Sequence, residues 1–164
     1  MTDYNIEFTP LKESDIPELT PIMERSFDED ARLFFGKPKG GPEGYDDGSF
    51  LRKWALMPKA TSYCIHLEGV LIGAIILFIY EGIHSGHLGC IFLDPEYCGR
   101  GLGTRVWNKV EAAYPSVKKW TTETPAVSYR NHRFYINNCG FHVVEVQGGR
   151  DRFEAQFKLE KVIG

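Results

Sequence analysis

One segment, residues 87–107, constrains the fold of this 164-residue chain more than any other. It reads HLGCIFLDPEYCGRGLGTRVW, which is a run typical of a buried strand, then a glycine-rich turn, then at once the start of a helix. Glycine lets the backbone come close to a ligand, and the first amides of a helix point outward without internal partners. Gly99, Gly101 and Gly103, followed by the positive end of a helix dipole, therefore predict a phosphate cradle, to which Arg100 adds a full positive charge.

The same turn has three other interpretations, and the sequence argues against two of them. A P-loop needs Gly-Lys-Ser/Thr, and this turn contains no Lys. A dinucleotide fold needs Gly-x-Gly-x-x-Gly in a βαβ unit, whereas this turn has Gly-x-Gly-x-Gly after strands linked as hairpins, although Glu123 lies where a ribose-binding acid is expected. A turn that only reverses the chain is the third interpretation.

Hydrophobic periodicity divides the rest of the chain into strands and helices. We predict strands at residues 4–9, 61–68, 71–80, 87–93, 119–122, 142–147 and 152–159, and helices after an N-cap at Ser14 and at residues 49–57, 104–114 and 129–138. This order predicts an α/β (α+β type) fold, in which helices pack on both faces of a mixed, mostly antiparallel sheet of about seven strands. The crossover helix should place the 87–93 and 119–122 strands side by side and parallel. Neither a repeat nor a long linker divides the sequence, so we expect a single domain, residues 1–164.

Composition and charge argue against several classes of protein. The net charge is −3 without a long Lys/Arg stretch, which disfavours nucleic acid as a partner. The most apolar run, residues 70–80, is too short to span a bilayer and the N-terminus lacks a signal-peptide layout, so we expect a cytoplasmic protein with no membrane partner. Cys64, Cys90, Cys98 and Cys139 have no CxxC spacing, so we predict free thiols and no metal site.

Two elements of the sequence resemble the GNAT superfamily of N-acetyltransferases. The first is residues 97–103, YCGRGLG, which match the superfamily signature Gln/Arg-x-x-Gly-x-Gly/Ala and follow a strand and exit turn at residues 92–96, FLDPE. The second is a helix with Asn and a final Tyr, echoed by residues 130–135, RNHRFY, and then by the Gly-Phe of residues 139–141, CGF. Both elements at the superfamily's spacing are more specific than either alone. The element order matches over the whole chain, and the motifs match best over residues 91–141.

The resemblance implies an enzyme that uses acetyl-CoA as cosubstrate and acetylates a primary amine of a small molecule or a peptide. Backbone groups of Phe92 and Leu93 would pair with the pantetheine arm, as an added strand would. Tyr135 would protonate the departing CoA thiolate, since a phenol near pKa 10 can give its proton to a forming thiolate. The amides of the turn would hold the pyrophosphate; they belong to Cys98, Gly99, Arg100, Gly101, Leu102, Gly103 and Thr104.

Two positions depart from the superfamily's pattern. Cys98 stands where Gln or Arg is usual, which removes one side-chain contact and leaves the backbone amide. In many members the helix Asn lies about seven residues before the Tyr, and that place is held here by Ser128. Both Asn131 and Ser128 are therefore candidates for the cofactor contact that the superfamily's Asn makes.

The acceptor side carries no motif. The attacking amine must be neutral, and Glu123, at the end of the 119–122 strand, is our first candidate for the base that takes its proton. Weaker candidates, each of which also fits a solvated loop or strand residue, are Glu81, Asp94, His84 and His87. Asp94 in addition fits a turn cap.

The Gly36–Gly48 loop is the candidate substrate lid, because it is long for a compact domain. Its acidic residues Glu43, Asp46 and Asp47 suit a cationic amine and a solvated loop equally well. Tyr45 and Trp54 suit a pocket wall and core packing equally well.

A non-catalytic acyl-CoA-binding sensor or interaction module is the alternative function, because it predicts the same cofactor contacts. The resemblance also implies a possible homodimer, since the sheets of this superfamily often leave an edge that a second subunit can cover.

Overall fold

A seven-stranded sheet forms the centre of residues 4–151 and 153–164, which the computed structural model describes. Its order is β1-β2-β3-β4-β5-β7-β6, and every neighbouring pair is antiparallel except β4 and β5. The strands are β1 (Ile6–Pro10), β2 (Thr61–Leu67), β3 (Val70–Tyr80), β4 (Ser85–Leu93), β5 (Lys119–Pro125), β6 (His142–Gln147) and β7 (Gln156–Val162). The predicted mixed sheet is confirmed, as is the parallel pair joined by a crossover helix.

Helices and helical turns connect these strands. They are α1 (Ile16–Asp30) with a π-helical continuation (Ala31–Phe35), a π-helical turn (Leu51–Ala55), α2 (Leu102–Ala113), and α3 (Tyr129–His132) with a π-helical continuation (Arg133–Asn138). In the described part of the chain, no helix is long and apolar enough to cross a membrane.

The start of α1 differs by one residue from the prediction. Asp15 is the N-cap residue, and Ser14 lies in a short 3-10 turn before it. The Asp15 carboxylate accepts a hydrogen bond of 2.8 Å from the Lys12 backbone amide, which fixes the entry of the chain into the helix. The apolar face of α1 is buried as the periodicity predicts.

The helices cover both faces of the sheet, as predicted. On one face, α1 and the 51–55 turn pack on Ala74, Ile76 and Phe92. On the other face, α2 and the π-helical continuation of α3 cover a core centred on Trp107, whose ring centroid lies 5.0 Å from that of Trp120. The two strands that carry most of the site, β4 and β5, thus lie between two well-packed layers.

The bounds of β5 and β7 differ most from the predicted ones. β5 continues to Pro125 rather than ending at Thr122, because its last residues pair with β7. β7 begins at Gln156 and ends at Val162, whereas the prediction began at residue 152, which lies outside the described residues. Both errors arise because strand pairing, rather than local sequence, sets these ends.

Candidate active site

β4 and β5 begin side by side and then separate. Ser85–His87 pair in parallel with Lys119–Thr121, and Thr122 Oγ1 donates a hydrogen bond of 2.9 Å to the Leu88 carbonyl. Beyond this point β4 pairs with β3 and β5 pairs with β7, and within the described residues the two strands no longer pair with each other. The sheet therefore opens into a wedge, and the outer half of β4 presents a free edge to it.

A β-bulge lies where the wedge begins. The register of β3 on β4 shifts between Ile76 and Leu77, which leaves Gly89 as one extra residue in β4. Side chains alternate between the two faces of a regular strand, so residues three apart normally face opposite sides. Because of the extra residue, His87 and Cys90 face the same side of the sheet, the side covered by α1.

A cleft of about 1020 Å³ fills the wedge and continues to the start of α2. Its walls come from β4, β5, the turn before α2, α3 and the 37–42 segment, and we call it the β4–β5 cleft. Basic side chains outnumber acidic ones among its described lining residues: Lys37, Lys39, Arg130 and Arg133 against Asp30 and Glu123. Lys39 is bound by Glu24 and Asp28, and Arg130 by Asp30, so the excess of positive charge is small and it is the length of the cleft that suits a long ligand.

The glycine-rich turn leaves its backbone open to this cleft. Gly99 and Gly101 have φ values of +81° and +73°, and within the described chain no atom lies within 4 Å of the place that a Cβ would take at either position. α2 begins at Leu102, two residues before the predicted start, so Leu102, Gly103 and Thr104 supply the amides of its first turn. These amides have no acceptor inside the helix, and they lie at the positive end of its dipole. This geometry suits an anionic group such as a diphosphate.

Two residues of the turn also have a structural role that the sequence did not indicate. A Cβ at Gly103 would lie 2.9 Å from the Phe134 ring, so this glycine allows α2 to pack closely against the segment that follows α3. The Cys98 amide donates to the Pro95 carbonyl at 3.1 Å. It is therefore engaged within the turn, and the open amides begin after it.

Side chains hold the turn in place from both ends. Asp94 is 8% exposed and accepts hydrogen bonds from the Glu96 amide at 3.2 Å and from Arg25 at 2.6 Å, so the predicted turn cap is confirmed. Arg100 lies over the Tyr97 ring, with the guanidinium carbon 5.3 Å from the ring centroid. The guanidinium also donates a hydrogen bond of 3.3 Å to the Glu96 carbonyl, and Arg100 is not among the described residues that line the cleft. Its side chain therefore holds the turn together, and the open amides face the cleft without it.

Tyr135 lines the cleft near the point where the strands separate. It is 8% exposed and packs against the rings of Phe134 and Phe141, with centroid distances of 5.1 and 5.9 Å. Burial raises the pKa of this phenol above its ordinary value of 10.0, and the nearby Cys90 and Cys139 add to the increase. The hydroxyl therefore stays protonated at neutral pH, as a proton donor must.

Glu123 and His87 lie on the same face of the sheet, near the wedge. Glu123 is exposed and lies inside β5 rather than at its end, with Lys158 Nζ 3.9 Å from its carboxylate. The His87 Nδ1 atom lies 2.8 Å from Thr121 Oγ1. Burial lowers the pKa of His87 below 6.5, although the charge of Glu123 opposes this effect. His87 is therefore a neutral imidazole at pH 7. A neutral imidazole can accept a proton, so His87 is a stronger candidate for the base that deprotonates the amine than its sequence context indicated.

The remaining predicted cofactor-binding residues also line the β4–β5 cleft. Phe92 and Leu93 lie on the free half of β4. Asn131 Nδ2 donates a hydrogen bond of 3.2 Å to Thr124 Oγ1, and this contact joins α3 to β5. Ser128 is 2% exposed at the N-cap position of α3. Both candidates for the superfamily's Asn role thus lie in the same wall of the cleft.

A second cavity of about 700 Å³ adjoins the cleft on the face of the sheet that α1 covers. We call it the aromatic cavity, because the rings of Phe50, Trp54 and Phe78 line it. Its other described lining residues are Pro42, Glu43, Ser49, Lys53, Ile76, His87, Gly89 and Cys90. Of these lining residues, sequence reasoning proposed Trp54, Glu43 and His87 for the acceptor side and missed the others, because the walls come from three segments that are distant in the chain.

The 36–48 loop, predicted to be a lid, is fastened to α1. Asp28 Oδ1 accepts hydrogen bonds from the Tyr45 hydroxyl at 2.6 Å and from the Gly40 amide at 3.1 Å. Tyr45 is 8% exposed and belongs to the core, so core packing is the correct interpretation for this residue. Trp54 is 39% exposed and lines the aromatic cavity instead.

Comparison with known proteins defines the class and then the family. The fold is that of acetyltransferases: it matches a PaiA N-acetyltransferase from Thermoplasma acidophilum in complex with coenzyme A, with a TM-score of 0.75 and 18% identity over 96% of this chain and 99% of that one. It also matches the ribosomal-protein-S18-alanine N-acetyltransferase of Escherichia coli, with a TM-score of 0.73 and 16% identity over 97% and 94% of the two chains. The model of the Acetyltransferase (GNAT) family matches residues 22–141, and the chain belongs to this family.

A sequence relative is found in Bacillus subtilis (strain 168). Its protein YrkN, described as uncharacterized, is 34% identical to this chain over 134 residues, which cover 82% of this chain and 71% of YrkN. The resemblance that the two sequence elements indicated is therefore confirmed at the level of the family.

Proposed function

We propose that this protein transfers the acetyl group of acetyl-CoA to a primary amine of a small molecule or a peptide by direct attack. One observation carries the proposal: the open glycine turn at the start of α2 and the free half of β4 line one cleft. The turn offers a site for an anion, and the free strand edge offers hydrogen bonds to an amide-bearing chain. Membership of the GNAT family supports acetyl-CoA as the donor.

The donor would lie along the β4–β5 cleft. Its diphosphate would accept hydrogen bonds from the amides of residues 99–104, which the two open glycines leave uncovered. Its pantetheine amides would pair with the backbone of Phe92 and Leu93, as a short added strand. This orientation directs the thioester toward Tyr135, where β4 and β5 separate.

The reaction needs one proton donor and one proton acceptor. The nitrogen of a neutral amine attacks the thioester carbon, a C–N bond forms and the C–S bond breaks. The departing thiolate takes the Tyr135 proton, and the proton lost by the nitrogen passes to Glu123, the acidic residue that lines the cleft from β5. Positioning of the two reactants supplies a further part of the rate.

Replacement of Tyr135 with Phe tests the proposed proton donor. We expect kcat for thiol release from acetyl-CoA to fall by about 100-fold, which is the lower end of the usual contribution of general acid catalysis. CoA affinity should stay within about twofold. Phe keeps the ring packing, and the lost hydroxyl is too far from the diphosphate contacts to change their contribution to binding. Stopped assays of thiol release over a panel of primary amines, with calorimetry for CoA binding, measure both quantities.

Tyr114→Phe is the matched control. The Tyr114 hydroxyl forms a hydrogen bond with that of Tyr63, and this residue lines neither cavity. Loss of the Tyr114 hydroxyl should leave kcat unchanged. If Tyr135→Phe abolished CoA binding, the assigned role would be wrong. If the unmodified protein bound CoA but released no thiol with any amine or peptide, the sensor function would replace the enzyme.

A further inference from the structure

We propose that the aromatic cavity receives the acceptor, and that the acceptor is a small primary monoamine carried on an aromatic body. This inference rests on the proposed acetyl transfer and adds the chemical class of the substrate. It follows from where the cavity meets the β4–β5 cleft, from the rings in its walls and from the few charges that line it.

The position of the cavity suits an attacking amine. Four residues line both spaces: Pro42, Phe50, Gly89 and Cys90. Gly89 is the bulge residue, and Cys90 is its neighbour at the start of the wedge. The two spaces therefore meet where β4 leaves β5, which is also the end of the cleft that Tyr135 lines. An amine in the aromatic cavity would meet a thioester at this junction, from the face of the sheet that α1 covers.

The walls of the cavity favour an aromatic body over a polar chain. The Phe50 and Trp54 rings lie 6.4 Å apart at 50°, and the Phe78 ring lies 6.2 Å from that of His87 at 39°. Trp54 leaves 39% of its surface exposed, although large aromatic side chains are usually well buried. A flat ring between Phe50, Trp54 and Phe78 would remove this surface from water and add edge or stacked ring contacts.

The charges favour one amino group rather than several. Among the described residues that line the cavity, Glu43 is the acidic one, and Lys53 is a fixed positive charge whose Nζ atom lies 4.8 Å from the Trp54 ring centroid. A polyamine would bring several ammonium groups next to Lys53 with Glu43 alone to pair with them. A monoamine needs one such partner, and the neutral His87 ring adds no repulsion.

The experiment compares amines that differ in body and in charge. We measure kcat/KM for phenethylamine, ethylamine, spermidine and the peptide Phe-Gly-Gly, with thiol release from acetyl-CoA as the readout. The kcat/KM for phenethylamine should exceed that for ethylamine and for spermidine by about 10-fold or more, which is the size of discrimination that an apolar pocket gives. The peptide should be slower than phenethylamine, because its backbone adds polar groups that the rings cannot satisfy.

Variants then test which residues select the amine. Trp54→Ala should lower kcat/KM for phenethylamine by about 10-fold, because its ring contacts are lost. The kcat/KM for ethylamine, which makes no ring contacts, should stay within about threefold of the value for the unmodified protein. Glu43→Gln should raise KM for phenethylamine and leave the affinity for CoA unchanged, which gives a second test if Trp54→Ala folds poorly. Tyr80→Ala is the matched control, since Tyr80 is 46% exposed and lines neither cavity.

The outcomes separate the two proposals. Thiol release that is fastest with spermidine, ethylamine or the peptide, or a Trp54→Ala variant that affects all amines equally, would overturn the aromatic monoamine and leave acetyl transfer intact. Absence of thiol release with every amine would overturn acetyl transfer itself.

Discussion

The β4–β5 cleft and the aromatic cavity meet at the same bulge but are built from different parts of the chain. At the turn before α2, the cleft offers main-chain amides, because Gly99 and Gly101 leave the backbone uncovered. The aromatic cavity offers side chains, chiefly Phe50, Trp54 and Phe78. A site made by the backbone tolerates many substitutions, whereas a site made by side chains changes with each one. The first kind suits a ligand that a whole family shares, and the second suits a ligand that one protein selects.

The largest expected effect comes from filling the backbone site. Gly101→Glu would place a carboxylate in the open space above the turn, where the proposed diphosphate lies. A ligand at 100 times its Kd stabilises a protein by about 2.7 kcal/mol, and this variant should lose that gain. Thermal melting with and without CoA measures the change.

Gly69→Glu separates the effect on the ligand from the effect on the backbone. Gly69 has a φ of +81°, and a Cβ at this position would also have no described atom within 4 Å, but it lies in the turn between β2 and β3. The Gly69→Glu variant has the same backbone strain of a side chain at positive φ, roughly 1–2 kcal/mol. It should nevertheless keep the full increase in Tm that CoA gives the unmodified protein. Equal shifts in both variants would show that the turn before α2 is not the phosphate site.

A smaller effect should appear in the pH dependence of stability, through His87 in the aromatic cavity. Burial lowers its pKa, so at acid pH the unfolded chain binds the His87 proton more readily than the folded protein does. The stability that His87 contributes is complete above pH 6.5 and is lost as the pH falls through the lower folded pKa. His87→Gln should therefore show a smaller fall in Tm between about pH 7.5 and pH 5, measured by thermal melting in matched buffers.

The control for this measurement is His142→Gln, because His142 is exposed on β6. This variant should follow the unmodified protein across the same pH range. A fall in Tm that is the same in all three proteins would mean that His87 titrates in the folded state as it does in water.

The smallest expected effect comes from Cys98, a side chain in the backbone-built site. Its Sγ lies 3.8 Å from the Asp94 carbonyl, and its amide is engaged by Pro95. Cys98→Ala should therefore change the affinity for CoA by no more than about threefold, as is usual for a surface substitution. A tenfold loss, measured by calorimetry, would show that the side chains of this turn matter as much as its amides.

The sequence predicted those parts of the molecule whose cause lies in a short stretch of chain. The strand, the turn and α2 are contiguous, so their order and the glycines between them were sufficient to place the cleft. The hairpins and the parallel β4–β5 pair followed from the element order.

Features that depend on distant pairing were missed. Glu123-Thr124-Pro125 looks like the end of a strand, yet pairing with β7 extends β5 through it. The aromatic cavity needs Phe50 from a helical turn and Phe78 from β3, which share no motif. The half-buried position of His87 follows from its place opposite Phe78 and Thr121. Only the three-dimensional register brings these residues together.

The single extra residue at Gly89 has a consequence for how this gene can change. Deletion of that codon would restore regular alternation, so Cys90 and the three residues after it would all turn over to the opposite layer. The backbone donors and acceptors on the free half of β4 would then be shifted by one residue along the strand. Substitutions around this site can be sampled one at a time, but a one-codon gap here would disrupt both cavities at once.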